Sequence, residues 1–271
     1  MSRIQVCLAG ATGWAGSALA RGVARQEDME LVAAVSRSYA GRSLGEALSE
    51  PGLAAPVFAS AEEALASAKC DVFVEYTKPD VAKANVLAAL RHGANVVVGT
   101  SGLTDEDYAE LDAAARAAGK GVLAAGNFAL TVVLMLRFAE AAAKLIPHWE
   151  VIDYAHAGKP DAPSGTAREL ASRLGAAARA RHEVPVEATQ GERAARGATM
   201  GGAQVHSVRL PGFRLSTEAI FGLPDQRLSV RTDAGSSAEP YVDGALLAIR
   251  RVGALVGLHR GLDAVLDLPG H

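Results

Sequence analysis

The sequence has little cysteine, no excess of basic residues and no long hydrophobic run free of charge. Its two cysteines, Cys7 and Cys70, are too few for a disulfide framework, and nothing near them has the spacing of metal ligands. The 27 basic residues stand against 30 acidic ones, and the net charge of −3 offers no broad attraction to nucleic acid or to an anionic membrane. We therefore expect no metal site, no nucleic-acid partner and no membrane association.

The longest apolar stretch, residues 128–147, is about as long as a membrane-spanning helix. Arg137, Glu140 and Lys144 interrupt it at spacings that place them on one face of a helix. This pattern predicts an amphipathic helix with one solvated face. No secretory signal is visible, because residues 1–3 lead directly into a segment typical of a strand, and we expect a cytoplasmic protein.

Length and hydrophobic pattern predict two α/β domains. The 271 residues are about 1.8 times a typical domain of roughly 150, and 49% of them are hydrophobic, which is enough for packed cores. Short strands alternate with helices in the first half, which is typical of a Rossmann-like parallel sheet covered by helices. The later strands, joined by turns, predict an α+β domain with a mixed open sheet. We expect domains at 1–127 and 128–239, and a C-terminal helix at about 240–271 that packs back on the first domain.

A glycine-rich turn joins the first predicted strand to the first predicted helix. Gly10, Gly13 and Gly16 follow the spacing G-x-x-G-x-x-G, a variant of the dinucleotide-binding motif, and enclose Thr12 and Trp14. Glycines allow the backbone to approach a pyrophosphate, which the amides at the helix N-terminus then bind. An ordinary strand-to-helix turn is the alternative interpretation.

The end of the second predicted strand carries Ser36 and Arg37, where NAD-specific sites usually have an acidic residue. A guanidinium beside hydroxyl groups suits a 2′-phosphate, so we predict a preference for NADPH, with NADH as the alternative cofactor. Arg37 would otherwise be a solvated loop residue.

The segment from His156 to Thr166 predicts an anion-binding site. A strand ends at His156, a loop presents Lys159, and Ser164–Thr166 begins a helix whose free amides and dipole favour an anion such as a carboxylate. Alternatively, Thr166 and Glu169 form a capping box that pairs those amides internally.

The run Lys-Pro-Asp-Ala-Pro-Ser-Gly-Thr at 159–166 resembles the signature of the 4-hydroxy-tetrahydrodipicolinate reductases, also called dihydrodipicolinate reductases, of lysine and diaminopimelate biosynthesis. The resemblance extends over most of the chain. Besides the glycine turn it includes, in family order, residues 75–79, 98–103, 127–128, 206–209 and 265–268.

This resemblance implies hydride transfer from NAD(P)H to a cyclic dicarboxylate imine, and a homotetramer assembled through the substrate domain at 128–239. By position, the residues implied to bind the cofactor are Gly10, Thr12, Gly13, Trp14, Gly16, Ser36, Arg37, Tyr76, Thr77, Gly99, Thr100, Gly102 and Asn127. Those implied to bind the substrate carboxylates are His156, Lys159, Ser164, Gly165 and Thr166. Lys159 and His156 are the candidate catalytic residues.

Two residues depart from the family pattern. Ala155 stands where the family has the first of two adjacent histidines, its proposed proton donor, and Ala238 stands where an arginine is usual. Three interpretations follow: Lys159 or a water held by His156 supplies the proton; the site serves a different imine or keto acid; or the chain is a non-catalytic NADPH-binding regulator. His206 is a reserve acid–base candidate, although a packed strand histidine is the simpler interpretation.

Overall fold

The computed structural model describes residues 2–267, which form two compact units. One unit runs to Leu130 and includes the segment from Ala238 onward, and the other spans Thr131–Ser237. Each unit is built on its own β-sheet. None of the helices in the described part of the chain combines the length and hydropathy needed to cross a membrane.

The first unit alternates strands with helices along the chain. Its elements up to Ala124 are β1 (Ile4–Ala9), α1 (Trp14–Ala24), β2 (Met29–Val35), α2 (Leu44–Leu48), β3 (Val57–Phe58), α3 (Ala61–Ser67), β4 (Val72–Glu75), α4 (Pro79–Arg91), β5 (Asn95–Val98), α5 (Asp105–Ala118) and β6 (Gly121–Ala124).

The next elements are α6 (Leu130–Ala143), β7 (His148–Ala155), α7 (Gly165–Ala177), β8 (Ala198–Met200), β9 (Ala203–Arg209), β10 (Leu215–Leu223) and β11 (Gln226–Ala234). The chain then adds α8 (Val242–Arg251) and β12 (Gly257–Arg260) to the first unit.

The sheet of the first unit is parallel, with strand order β12-β6-β5-β4-β1-β2-β3. Its central strands are apolar and buried, as expected of a sheet covered by helices on both faces. Starting at β1, the chain first adds β2 and β3 on one side of this strand. It then adds β4, β5, β6 and finally β12 on the other side. The loops after β1 and β4 therefore diverge and leave a crevice at the carboxyl ends of these strands, the usual ligand position in such sheets.

The sheet of the second unit is mixed, with strand order β11-β10-β7-β9-β8. The central strands β7 and β9 are parallel, whereas the other neighbours are antiparallel. Along β7 buried residues alternate with half-buried ones, so that Trp149, Val151, Asp153 and Ala155 share the buried face. The helix α7 packs against β7 and β9. The predicted Rossmann-like parallel sheet and the mixed second sheet are thus confirmed.

The predicted C-terminal helix is wrong in its extent. The helix α8 ends at Arg251, a short 3₁₀ turn follows, and β12 then pairs in parallel with β6. Gly257, with φ +83°, lets the chain turn into this strand and donates its N–H to the Lys120 carbonyl at 2.9 Å. The last four residues of the predicted helix, 268–271, lie outside the described residues. Among them is Leu268, the end of the run at 265–268 that resembles the family.

Candidate active site

The glycine turn after β1 brings backbone segments into direct contact. A Cβ atom on Gly10, which has φ +78°, would overlap the Tyr76 carbonyl, and one on Gly16 would overlap the Gly10 carbonyl. The Gly13 N–H donates to the Gly10 carbonyl at 2.9 Å and closes the turn. These close approaches explain why glycine stands at both positions, and they place the start of α1 at the end of β1.

The N-terminus of α1 offers unpaired amides. Its N-cap is Gly13, which has no side chain to accept from the first turn, and that turn contains no acidic residue. Among the described residues, the N–H groups of Trp14, Ala15 and Gly16 have no acceptor. Such a terminus can bind an anion, because the amides and the helix dipole both favour negative charge.

Thr12, Ser36 and Arg37 come together beside this turn. The Thr12 and Ser36 hydroxyl groups lie 2.8 Å apart. Arg37 begins a 3₁₀ turn directly after β2, is exposed, and makes no ion pair with any residue in the described range. Its guanidinium is therefore available for an anionic ligand.

A pocket of about 320 Å³ opens at the carboxyl ends of β4 and β5. Six of the sequence-predicted cofactor residues line it: Trp14, Tyr76, Thr77, Gly99, Thr100 and Asn127. Gly102, with φ +95°, is not among the lining residues and lies against the Pro79 ring. The pocket is large enough for a planar ring with polar substituents.

Two aromatic residues that sequence reasoning did not assign complete this pocket. Phe128 packs against Tyr76 with ring centroids 5.9 Å apart, and Tyr241 meets Trp14 edge-on at 5.7 Å. Tyr241 lies far along the chain from the glycine turn, so no local pattern could have indicated it. Burial raises the pKa of the Tyr76 phenol, whose hydroxyl has no hydrogen-bond partner within the described residues.

Glu75, at the end of β4, is a fully buried carboxylate beneath the pocket wall. Its Oε1 accepts from the Thr77 N–H at 2.8 Å, from the Thr77 hydroxyl and from the Thr100 hydroxyl at 3.3 Å. Its Oε2 accepts from Asn85 Nδ2 at 2.8 Å. Burial raises the pKa of Glu75, and these hydrogen bonds oppose the rise.

In the second unit, the start of α7 offers a second set of unpaired amides. Ser164 is the N-cap, and its Oγ accepts from the Ala167 N–H. The N–H groups of Gly165 and Thr166 have no acceptor among residues 2–267. The alternative capping box of Thr166 with Glu169 is wrong, because Ser164 already caps the helix and Glu169 pairs with Arg173 at 3.1 Å.

Asp153 and Arg209 hold this helix start in place. The Asp153 Oδ2 accepts from the Ser164 N–H at 2.8 Å, the Ser207 hydroxyl at 3.2 Å and Arg209 Nη2 at 2.7 Å. Arg209 Nη2 also donates to the Asp161 carbonyl at 2.7 Å. Burial by itself raises the pKa of Asp153, but the hydrogen bonds from Arg209 and Ser164 outweigh it and hold the pKa below its usual value.

The loop between β7 and α7 carries the predicted catalytic residues. Lys159 Nζ lies 2.5 Å from Asp161 Oδ1, and this hydrogen bond lowers the pKa of Asp161. His156 is exposed, and its backbone carbonyl accepts from the Lys159 N–H at 3.1 Å. Ala155, the residue before it, is fully buried at the end of β7. His206 bonds to Glu150 Oε2 at 2.8 Å, as a packed strand histidine would.

Comparisons with known proteins cover nearly the whole chain. Residues 4–128 match the family model described as dihydrodipicolinate reductase, N-terminus, and residues 131–266 match its C-terminus. A 4-hydroxy-tetrahydrodipicolinate reductase of Listeria welshimeri is 38% identical, with 97% of this chain and 100% of that protein covered. One of Moorella thermoacetica is also 38% identical, at coverages of 98% and 99%. The solved structure of dipicolinate-bound dihydrodipicolinate reductase from Paenisporosarcina sp. TG-14 aligns with a TM-score of 0.85 at 31% identity, covering 97% of this chain and 100% of that one.

Removal of the Asp153 charge is expected to destabilise the second unit. Asp153→Asn leaves the Arg209 guanidinium without its ion-pair partner, which should lower the free energy of unfolding by about 3 kcal/mol at pH 7. Because the folded-state pKa of Asp153 is depressed, its contribution is present above the unfolded-state pKa of about 3.9 and is lost as the pH falls through the folded-state value.

Thermal unfolding of both proteins between pH 3 and pH 7 measures this effect. The difference in Tm between the wild type and Asp153→Asn should shrink on acidification. Asp161→Asn is the matched control and should change Tm much less, because its ion pair with Lys159 is only partly buried, whereas Asp153 is almost fully buried. A difference that stays constant or grows at low pH would contradict the assignment.

Proposed function

The chain belongs to the dihydrodipicolinate reductase family, and we propose that it reduces 4-hydroxy-tetrahydrodipicolinate in lysine and diaminopimelate biosynthesis. Membership makes it an NAD(P)H-dependent oxidoreductase. The alternatives, a reductase of another imine and a non-catalytic regulator, are not favoured, because the match to reductases extends over the whole chain. The observation that carries the proposal is the pair of amides at the start of α7, unpaired among residues 2–267, at the end of the loop that carries Lys159.

The start of α7 suits a carboxylate of a cyclic substrate. The Gly165 and Thr166 N–H groups offer two donors at the positive end of the helix dipole. Lys159 adds a positive charge, and Ser164 and His156 lie next to these groups along the chain. The neighbouring solved structure holds dipicolinate, a planar ring with two carboxylates. The same chemistry in this chain would bind the substrate by its carboxylates and leave the ring carbon free to accept hydride.

The first unit fits a pyridine nucleotide. The unpaired amides of α1 suit its pyrophosphate, because the glycines permit close approach of the backbone. The pocket at the ends of β4 and β5 suits the nicotinamide, which supplies a hydride when it is bound. Arg37, with Thr12 and Ser36, suits a 2′-phosphate, and NADPH is therefore the proposed cofactor over NADH.

Proton delivery has to proceed without a histidine at position 155. Alanine cannot donate a proton. The lysine or arginine closest to position 155 along the chain is Lys159, on the same loop. We assign Lys159 as the proton source as well as a carboxylate ligand, with a water held by His156 as the second route. By analogy with the family, the chain would work as a cytoplasmic homotetramer.

Loss of Lys159 is the direct test of the proposed site. Lys159→Ala should lower kcat/KM for 4-hydroxy-tetrahydrodipicolinate by more than about 10²-fold, because it removes a charged hydrogen bond to the substrate and the proposed proton source together. His206→Ala is the control and should stay within about threefold, because His206 is paired with Glu150. The reverse order in steady-state kinetics would refute the assignment, and absence of turnover in the wild type would refute the function.

Cofactor preference is tested at Arg37. Arg37→Ala should weaken NADPH binding by about 10–100-fold, because the 2′-phosphate loses a charge-assisted partner. NADH has no 2′-phosphate, so its Kd should stay within about twofold and serves as the control. Fluorescence titration of both cofactors measures this, and equal weakening of the two would place Arg37 outside the phosphate site.

The missing histidine can be restored. Ala155→His should raise kcat by about 10²-fold, the lower range for general acid catalysis. Ala155→Gln is the matched control, because glutamine is close to histidine in volume and cannot act as an acid near neutral pH. Equal rates in the two variants, with both folded by their Tm values, would show that position 155 no longer serves proton transfer.

A further inference from the structure

Glu75 is a buried carboxylate that touches the pocket wall without lining the pocket. It is fully buried, whereas Thr77 and Thr100, which donate to it, are lining residues. Its main-chain carbonyl also accepts from the Gly99 N–H at 3.0 Å. One residue therefore fixes the start of both loops that form this side of the pocket.

The hydrogen bonds around Glu75 favour its ionised form. The Thr77 N–H donates to one carboxylate oxygen and Asn85 Nδ2 donates to the other. The Thr77 N–H cannot accept a hydrogen bond, and the contacts from Thr77, Asn85 and Thr100 all lower the pKa of Glu75 against the rise that burial causes. Within the described residues no Lys, Arg or His pairs with Glu75, and its charge is therefore not cancelled by an ion pair.

We propose that Glu75 places an uncompensated negative charge beneath the nicotinamide pocket and makes the pocket favour the positively charged, oxidised ring. An oxidised nicotinamide carries one positive charge and the reduced ring carries none, so a fixed anion discriminates between them. Charges in a water-excluded site interact strongly, because the effective dielectric is low. Glu75 thereby acts as a positioning and electrostatic residue that eases the loss of hydride from the ring.

This inference rests on the proposed function, because it takes the pocket to be the nicotinamide site. Its test is the ratio of the Kd for NADP⁺ to the Kd for NADPH, measured by calorimetry at pH 8. Glu75→Gln should raise this ratio by about tenfold, because the oxidised ring loses a favourable charge and the reduced ring loses none. Asn85 can turn its amide to accept from the new side chain, which preserves the packing.

Two controls separate charge from structure. Asn85→Ala removes one hydrogen bond to Glu75 but keeps the carboxylate, so the ratio should stay within about twofold. The ligand 2′,5′-ADP has no nicotinamide, and its Kd should be the same in Glu75→Gln and in the wild type. Should Glu75→Gln fail to fold, the ratio is compared between Glu75→Asp, which keeps the negative charge, and Glu75→Asn, which removes it.

The outcomes distinguish this inference from the proposed function. If the wild type binds neither NADPH nor NADP⁺, the proposed function fails. If the wild type binds both and the neutral variant changes the two Kd values equally, the proposed function stands and the electrostatic role of Glu75 is overturned. A selective loss of NADP⁺ affinity in the neutral variant supports it.

Discussion

Both proposed sites depend on main-chain N–H groups at the start of two helices that have no acceptor in the described part of the chain. At α1 they are free because the N-cap is Gly13, which has no side chain, and because glycine backbone packs where side chains would block the approach. At α7 they are free because Ser164 caps only the Ala167 amide. An anion bound at either place replaces the missing acceptor, so ligand binding completes hydrogen bonding that folding leaves open.

Each site is supported by one buried carboxylate that accepts several hydrogen bonds. Glu75 fixes the loops after β4 and β5, and Asp153 fixes the start of α7. The two carboxylates differ in whether a positive charge balances their negative charge. Asp153 is neutralised by Arg209, whereas Glu75 receives hydrogen bonds only from neutral donors among residues 2–267. At the first site, which is proposed to bind an anion, an uncompensated negative charge would repel the ligand. At the second site, the proposed positively charged nicotinamide ring would be attracted by the carboxylate.

The local sequence pattern predicted those parts of the fold in which the structure itself restricts the type of residue. The apolar runs of β1 and β4 and the glycine spacing after β1 predicted the parallel sheet and its turn, because buried parallel strands and close backbone approach each restrict residue type. The segments β3 and β12 were too short to show a period. The roles of Arg209 and Tyr241 depend on contacts between distant parts of the chain, which no spacing in the sequence encodes. Family resemblance named the loop of Lys159 but not the Asp153–Arg209 pair that holds it.

The alanine at position 155 separates substrate binding from proton delivery. The proposed carboxylate-binding groups are main-chain amides and Lys159, and none of them depends on the side chain of residue 155. Ala155 shares the buried face of β7 with Asp153, so an ionisable side chain there would have to be accommodated beside an existing buried ion pair. Burying such a group without a dedicated partner costs free energy, which alanine avoids. Under the proposed function, the chain keeps the groups that bind an acidic ring, and the proton comes from the loop that follows β7.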